Sequence, residues 1–202
     1  MNTRIVTLVA SALLLGLCAC KGNGHGAGEG KEVPVGKQPA ISLAAGIAAA
    51  QKSAPGMQFL AAEIENEGGK VICSVVFAKA DGASEVNIDA TSGAVVNTEN
   101  EKIHDKTKAL LQALAKDRKL ASTTPAQAIE AALKRLPGTW AIEMRLTNEG
   151  GVFVYEVALA GGKEPMLVQL SAADGTVKKV SEMEEENEEA EEGEKSEAKP
   201  KN

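Results

Sequence analysis

The stretch Asn66-Glu67-Gly68-Gly69 returns 82 positions later as Asn148-Glu149-Gly150-Gly151. At the same offset, and without a gap, Pro55-Gly56 coincides with Pro137-Gly138. Further identities at this offset extend along the whole length of each copy. They include the pairs Ala44 and Ala126, Ile47 and Ile129, Lys52 and Lys134, Val75 and Val157, Val86 and Val168, and Gly93 and Gly175. A repeat of this size is too long for a solenoid unit and fits a small domain. The sequence therefore predicts a duplicated module.

Each copy begins with a pattern that is typical of a helix. In the second copy Thr124 is a good N-cap, Pro125 stands at the first helical position, and Pro137-Gly138 ends the helix. An apolar stripe lies between these signals, at Ile129, Ala132, Leu133 and Leu136. The first copy repeats the arrangement from Ser42 to Pro55-Gly56, and its many alanines would allow close approach to a sheet.

After the helix, each copy alternates with the period of a β-strand. Trp140, Ile142, Met144 and Leu146 are expected on one face, with Glu143 and Arg145 on the other. The equivalent apolar face of the first copy is Gln58, Leu60, Ala62 and Ile64. A glycine hairpin turn follows, then strands over 70–78 and 152–160, strands over 85–90 and 167–172, and short strands at Val95 and Val177. The predicted fold is α+β, with two similar modules, each one helix on an antiparallel four-strand meander.

These patterns place a first domain at 40–97, a helical linker at 98–122 and a second domain at 123–181. Within the linker, Glu101 to Lys119 carries a stripe of residues at helical spacing, namely Ile103, Thr107, Leu110, Leu111 and Leu114. This helix would cover the open face of a sheet, or alternatively contact a partner or a membrane surface. The chain has only five aromatic residues, so each module buries little area, and packing between the modules is expected to add stability.

The amino terminus resembles a bacterial lipoprotein signal peptide over residues 1–19. Arg4 supplies the positive charge, and Ile5 to Leu17 form an apolar run too short to cross a bilayer. Leu17-Cys18-Ala19-Cys20 resembles a lipobox, which predicts cleavage before Cys20 and a diacylglycerol on its thiol. Cys18 fits less well, because Leu17 would then occupy a position that requires a small residue. The alternative is an ordinary secretory signal with incidental cysteines.

Residues 20–39 would then be a lipidated cysteine followed by a flexible, glycine-rich tether. Acyl chains on Cys20 would anchor the chain to a membrane. Lys21 stands where an aspartate would favour retention, so by resemblance to Gram-negative lipoproteins the expected location is the outer membrane facing the periplasm. The outer face of the cytoplasmic membrane is the other possibility.

The carboxyl terminus, residues 182–202, carries ten glutamates and three lysines, so the rest of the chain is close to neutral. Such a run stays solvated and disordered. It is either a solubilising tail or a region that captures divalent cations or a basic partner.

Candidate catalytic groups are few. Cys73 lies within an apolar strand, without a neighbouring acid or base, and is expected to be a core residue. His25 and His104 lack the partner spacing of a metal site, although a weak site of His25 with tail glutamates is conceivable. Trp140 is interpreted as core rather than as a binding anchor. We expect no catalytic residue, no metal, no cofactor and, without a basic patch, no nucleic acid.

The order of these elements resembles the PepSY domain. In the first copy the resemblance rests on Ala49-Ala50, Pro55, the strand from Val71 to Phe77, and the hairpin from Asp89 to Val95. In the second copy it rests on Ala131-Ala132, Pro137, the strand from Phe153 to Val157, and the hairpin from Ala172 to Val177. It covers about 41–97 and 123–180. Two positions depart from the pattern: Ser171 replaces an aspartate, and Cys73 replaces a tyrosine.

The resemblance implies a non-catalytic module of the cell envelope that binds and inhibits or regulates a peptidase. Two other readings stay open, a structural scaffold that holds an envelope assembly at the membrane and a small-ligand or cation-binding module. Neither the partner, the oligomeric state nor the ligand-binding residues follow from the sequence.

Overall fold

The structure, a computed structural model, describes residues 37–67, 69–79, 82–101 and 105–183. These described residues form three α-helices, a short 3-10 helix at Arg118–Ala121 and eight strands. The helices are α1 (Leu43–Ser53), α2 (Asp105–Lys116) and α3 (Pro125–Arg135). The strands are β1 (Gln58–Glu67), β2 (Lys70–Ala78), β3 (Ala83–Asp89), β4 (Val95–Glu101), β5 (Trp140–Glu149), β6 (Val152–Ala160), β7 (Met166–Ser171) and β8 (Val177–Glu182).

All eight strands form a single antiparallel sheet in the order β4-β3-β2-β1-β5-β6-β7-β8. The predicted α+β class is confirmed. The strands of the first half (residues 37–101) and of the second half (residues 123–183) are each ordered as a meander, and the two sets meet where β1 pairs with β5. The halves therefore share one sheet rather than having separate ones.

The caps of α1 and α3 form where the sequence places them. Ser42 Oγ accepts a hydrogen bond from the Ala45 backbone N–H at 3.2 Å. Thr124 and Gln127 form a reciprocal capping box, and Pro125 occupies the first turn, where its missing N–H costs nothing. At each helix start, a side chain thus satisfies at least one of the amide groups that would otherwise lack a partner.

Both helices bury small and branched side chains against the same face of the sheet. Leu43, Ile47 and Ala50 of α1 are buried, as are Ala128, Ile129 and Ala132 of α3, and α1 contacts α3. Gly46 allows α1 to lie close to the sheet, because a Cβ atom there would lie 2.4 Å from Cys73 Sγ. Cys73 is fully buried, which confirms its predicted place in the core.

The core contains most of the few aromatic side chains. Phe59 lies 6.4 Å from Phe77 in an edge-to-face arrangement and 6.4 Å from Tyr155, measured between ring centroids. Tyr155 and Phe77 are fully buried, and Tyr155 Oη donates a hydrogen bond of 3.1 Å to the Thr123 carbonyl. Because Phe59 and Phe77 belong to the first half and Tyr155 to the second, this aromatic cluster joins the two halves.

A β-bulge interrupts β5 between Ala141 and Glu143, and β1 has one between Phe59 and Ala61. The bulge divides the single apolar face that was predicted for β5. Met144 and Leu146 belong to the main core, whereas Trp140 and Ile142 pack in a separate cluster with Ala158, Ala160 and Met183. An extra residue changes the side to which the following side chains point, and sequence alternation cannot detect it.

The connection between the halves differs in detail from the prediction. β4 is seven residues long and continues to Glu101, past the predicted domain limit at residue 97. α2 lies within the predicted linker helix, and its Thr107, Leu110 and Leu114 are buried, the two leucines in the main core. Ile103 and His104 of the predicted linker lie outside the described residues. The division of the chain into two domains and a linker stays a prediction.

The predicted signal peptide, Cys20, most of the tether with His25, and nearly all of the acidic tail also lie outside the described residues. Among the helices that are described, none has the length and apolar character needed to cross a bilayer.

Candidate functional site

The sheet has a second face, opposite α1 and α3, and we call it the polar face. Cys73 contacts Gly46 of α1, and side chains alternate along a strand, so Ser74 projects from the opposite side. Residues paired directly across an antiparallel ladder share a face. Following the register outward from Ser74 gives one row of polar side chains in the first half: Glu63, Ser74, Asn87 and Asn97.

The second half carries a row of its own on the polar face, formed by Arg145, Glu156, Gln169 and Lys179. Arg145 Nε donates to Glu156 Oε2 at 2.5 Å, and Gln169 Nε2 donates to Glu156 Oε1 at 2.9 Å. Both oxygens of the buried Glu156 carboxylate are therefore hydrogen-bonded, and an arginine balances its charge. We call these four residues the compensated row.

The first half concentrates carboxylates on the polar face. Glu63, Glu65 and Glu85 are half-buried, and Ser74 Oγ donates a hydrogen bond to Glu85 Oε1. Burial, followed by the charges of Glu65, Glu143 and Glu85, raises the pKa of Glu63 to about 7. The pKa of Glu65 is also raised, first by burial and then by Glu67 and Glu85. A carboxylate here lacks the compensation that Glu156 has.

The two rows meet at the centre of the sheet. Glu63 is directly opposite Glu143 on β5, and Ala61 is opposite Arg145. Arg145 Nη1 lies 4.0 Å from Glu143 Oε1. Burial raises the pKa of Glu143, and the positive charge of Arg145 opposes that increase. Like charges thus face each other across the ladder that joins the halves.

These side chains do not form a recognisable metal centre. Among the described residues, no group of three or more His, Cys, Asp or Glu side chains is arranged to hold a metal ion. Burial, with smaller effects from Glu63 and Glu65, raises the pKa of the Cys73 thiol to about 12, which disfavours the reactive thiolate form. Trp140 is half-buried in the small cluster described above.

The polar face was not predicted as a site from the sequence. The alternation of residues along β5 did predict that Glu143 and Arg145 lie on the face opposite the apolar residues. This alternation was the one sign of a polar face in the sequence. Which residues lie beside them depends on the pairing of β1 with β5, and that pairing cannot be read from either strand alone.

β4 and β8 form the two edges of the sheet. On β4, Val95 and Val96 are exposed, at 47% and 53% of their surface. An edge strand with exposed apolar side chains is a place where an extended segment of another chain can pair.

Comparison with known proteins identifies one family. Residues 124–189 match the model of the PepSY family, described as "Peptidase propeptide and YPEB domain". No curated protein matches the chain.

Two solved structures are similar to this chain. A candidate lipoprotein from Clostridium difficile 630 is 21% identical with a TM-score of 0.45, and the alignment covers 74% of this chain and 97% of that one. The YpeB C-terminal domain from Bacillus megaterium is 17% identical with a TM-score of 0.29, and the alignment covers 74% of this chain and 69% of that one. The segment matched by the family model begins at the cap of α3 and includes β5 to β8. Residues 124–189 of this chain are similar to a PepSY domain.

Proposed function

We propose that this chain is a non-catalytic lipoprotein of the cell envelope with two PepSY modules, and that it binds and restrains a peptidase. The observation that carries the proposal is the PepSY match over residues 124–189. The family description links this domain to the propeptides of peptidases, and from that link we infer a role in binding and restraining such an enzyme.

The local geometry of the first half supports a second PepSY module there. At the offset of 82 residues the β-bulges of β1 and β5 coincide, as do the register shifts in the β3–β4 and β7–β8 ladders. The turn after β1 also matches the turn after β5. The Gly69 N–H donates to Asn66 Oδ1 at 3.1 Å, and the Gly151 N–H donates to Asn148 Oδ1 at 2.8 Å. Bulges and turns of this kind are inherited features of a fold.

We place the protein on a membrane through lipidated Cys20, with the outer membrane facing the periplasm as the preferred location. The support is the lipobox-like sequence Leu17-Cys18-Ala19-Cys20 and the short apolar run before it. Metabolic labelling with an alkyne fatty acid is expected to mark the wild-type protein and not the Cys20→Ala variant. Labelling that persists in Cys20→Ala would move the anchor to another residue.

We propose strand addition at an edge of the sheet as the mode of binding, with β4 the preferred edge because of exposed Val95 and Val96. A charge at residue 96 would oppose pairing at this edge. Val152 offers a matched control, since it is exposed to 56% but belongs to an inner strand. Val96→Asp is therefore expected to weaken peptidase binding, whereas Val152→Asp should leave it unchanged.

The test begins with affinity capture from crosslinked envelopes, followed by an inhibition assay on any peptidase that is enriched. The full-length protein is expected to slow that peptidase in a saturable way, and Val96→Asp should require a higher concentration for the same effect. Enrichment of envelope-assembly proteins without a peptidase would overturn the inhibitory role and favour the scaffold. Equal inhibition by Val96→Asp and wild type would overturn the β4 edge alone.

A further inference from the structure

The compensated row of the second half has a counterpart at every position in the first half. At the offset of 82 residues, Glu63, Ser74, Asn87 and Asn97 occupy the positions of Arg145, Glu156, Gln169 and Lys179. The ladders confirm the equivalence, because each pair of neighbours within one row is in the same register as the corresponding pair in the other. The two rows therefore differ in side chains and not in backbone arrangement.

The compensated row contains two cations, Arg145 and Lys179, whereas the corresponding row of the first half contains none. Glu63 replaces Arg145 and Asn97 replaces Lys179, while Glu65 and Glu85 add negative charge beside the row. The ion pairs seen in the described part of the chain join Lys134 to Glu130 and Arg145 to Glu143 and Glu156, so they do not include Glu63, Glu65 or Glu85. The first half thus keeps the acceptors of the row and lacks the donor that occupies the second half.

Asn87 gives an independent sign of the missing donor. It corresponds to Gln169, which is bonded to Glu156 and Glu149 in the compensated row. Asn87 is only 7% exposed, and its Oδ1 atom is buried without a hydrogen-bond partner. A buried acceptor without a partner costs about 1–3 kcal/mol, so native proteins rarely leave one unless water, an ion or a ligand completes it.

We propose that the first-half row, with Glu63, Glu85 and Asn87 at its centre, is a binding site for an arginine side chain in a basic segment of a partner protein. A guanidinium group carries five donors in a planar fork and remains charged at all relevant pH values, so it matches two carboxylates and an amide oxygen together. The partner's arginine would supply from outside the charge that Arg145 supplies from within the second half.

Two other occupants fit less well. The acidic tail of this chain, residues 182–202, has the same sign of charge as the site and would be repelled. A bare metal ion would need a set of fixed ligands, and the described residues provide no such set. A bound guanidinium would favour the ionised form of Glu63 and oppose the increase in pKa that burial and the neighbouring glutamates cause. The inference does not depend on the partner being a peptidase.

The probe is a short peptide, Gly-Arg-Gly-Arg-Gly with blocked ends, added to the full chain carrying Cys20→Ala and followed by NMR. Saturable shifts are expected at the backbone amides of Glu63, Ser74 and Asn87 and at the Asn87 side-chain amide. The same peptide with citrulline in place of arginine keeps the shape and removes the charge, and it should cause no shifts at these positions.

Two variants separate the site from general attraction between opposite charges. Glu63→Arg reproduces the second-half row and should abolish the shifts at Asn87, while Glu63→Gln should weaken binding about tenfold by removing one charge-assisted contact. Glu164→Gln removes an exposed charge elsewhere and should bind as wild type does. The dispersion of each variant's spectrum reports directly whether it is folded.

Shifts confined to residues 184–202 would overturn the proposal, because the tail alone would then attract the peptide. Shifts at Asn87 that survive in a folded Glu63→Arg variant would also overturn it. Equal affinity for a lysine peptide would overturn the assignment of a guanidinium group, since a point charge would then suffice.

Discussion

Replacing Glu63 by glutamine is expected to remove a pH-dependent cost from the folded state. Glu63 lies at the centre of the sheet, directly opposite Glu143 in the short ladder that joins β1 to β5. Burial and the nearby charges of Glu65, Glu143 and Glu85 raise its pKa from 4.5 to about 7. In the unfolded chain the same carboxyl would ionise near its ordinary pKa.

The sign follows from proton binding. Between about pH 4.5 and 7 the folded protein holds a proton on Glu63 that the unfolded chain has released, so the contribution of Glu63 to stability decreases as pH rises through this range. Each pKa unit corresponds to about 1.4 kcal/mol, which gives an upper limit of about 3 kcal/mol. Because Glu63 is only half-buried, solvent screening reduces the expected effect to about 1–2 kcal/mol.

Urea unfolding at a series of pH values from 4 to 8 measures this contribution. Wild type and Glu63→Gln should have similar free energies of unfolding near pH 4, and the variant should become more stable by about 1–2 kcal/mol at pH 8. Glu164→Gln, which alters an exposed carboxylate in the loop before β7, is the matched control and should parallel wild type. A constant difference between Glu63→Gln and wild type across the series would refute the reasoning.

Three further substitutions test the packing. Gly46→Ala would place a Cβ atom 2.4 Å from Cys73 Sγ and should lower the free energy of unfolding by about 1–3 kcal/mol, measured by urea; an unchanged midpoint would show that α1 can move away from the sheet. Tyr155→Phe removes the hydroxyl that donates to the Thr123 carbonyl and should lower the free energy of unfolding by about 1–2 kcal/mol in the same assay. A decrease below about 0.5 kcal/mol would mean that water replaces the hydroxyl. Gly151→Val forces a β-branched residue to adopt a φ of +95° and should lower the melting temperature by several degrees. An unchanged melting temperature would contradict the need for a positive φ in this turn.

Local signals predicted the elements of the fold well. The caps at Ser42 and Thr124 and the glycine turns at Gly69 and Gly151 all form, because each depends on a few neighbouring residues whose chemistry is visible in the sequence. Cys73 was placed correctly in the core for the same reason, since its apolar neighbours indicate a buried strand.

Features that depend on pairing between distant strands were not predictable. The sequence predicted two meanders but not that β1 and β5 would unite them in one sheet, because the choice between pairing and stacking depends on both strands at once. The bulge beside Glu143 separates Trp140 from Met144, although their alternation suggested a common face. The polar face depends on both features, so its residues could not be brought together from the sequence.

The pairing of β1 with β5 has a consequence for assembly. Ala62 faces Met144, and these two positions are themselves related by the offset of 82 residues, so the ladder is antiparallel about a near-twofold axis. A ladder with this symmetry can form between β1 of one chain and β5 of another as well as within one chain. Refolding at high protein concentration should therefore produce domain-swapped dimers, in which the first half of one chain completes the sheet with the second half of its neighbour.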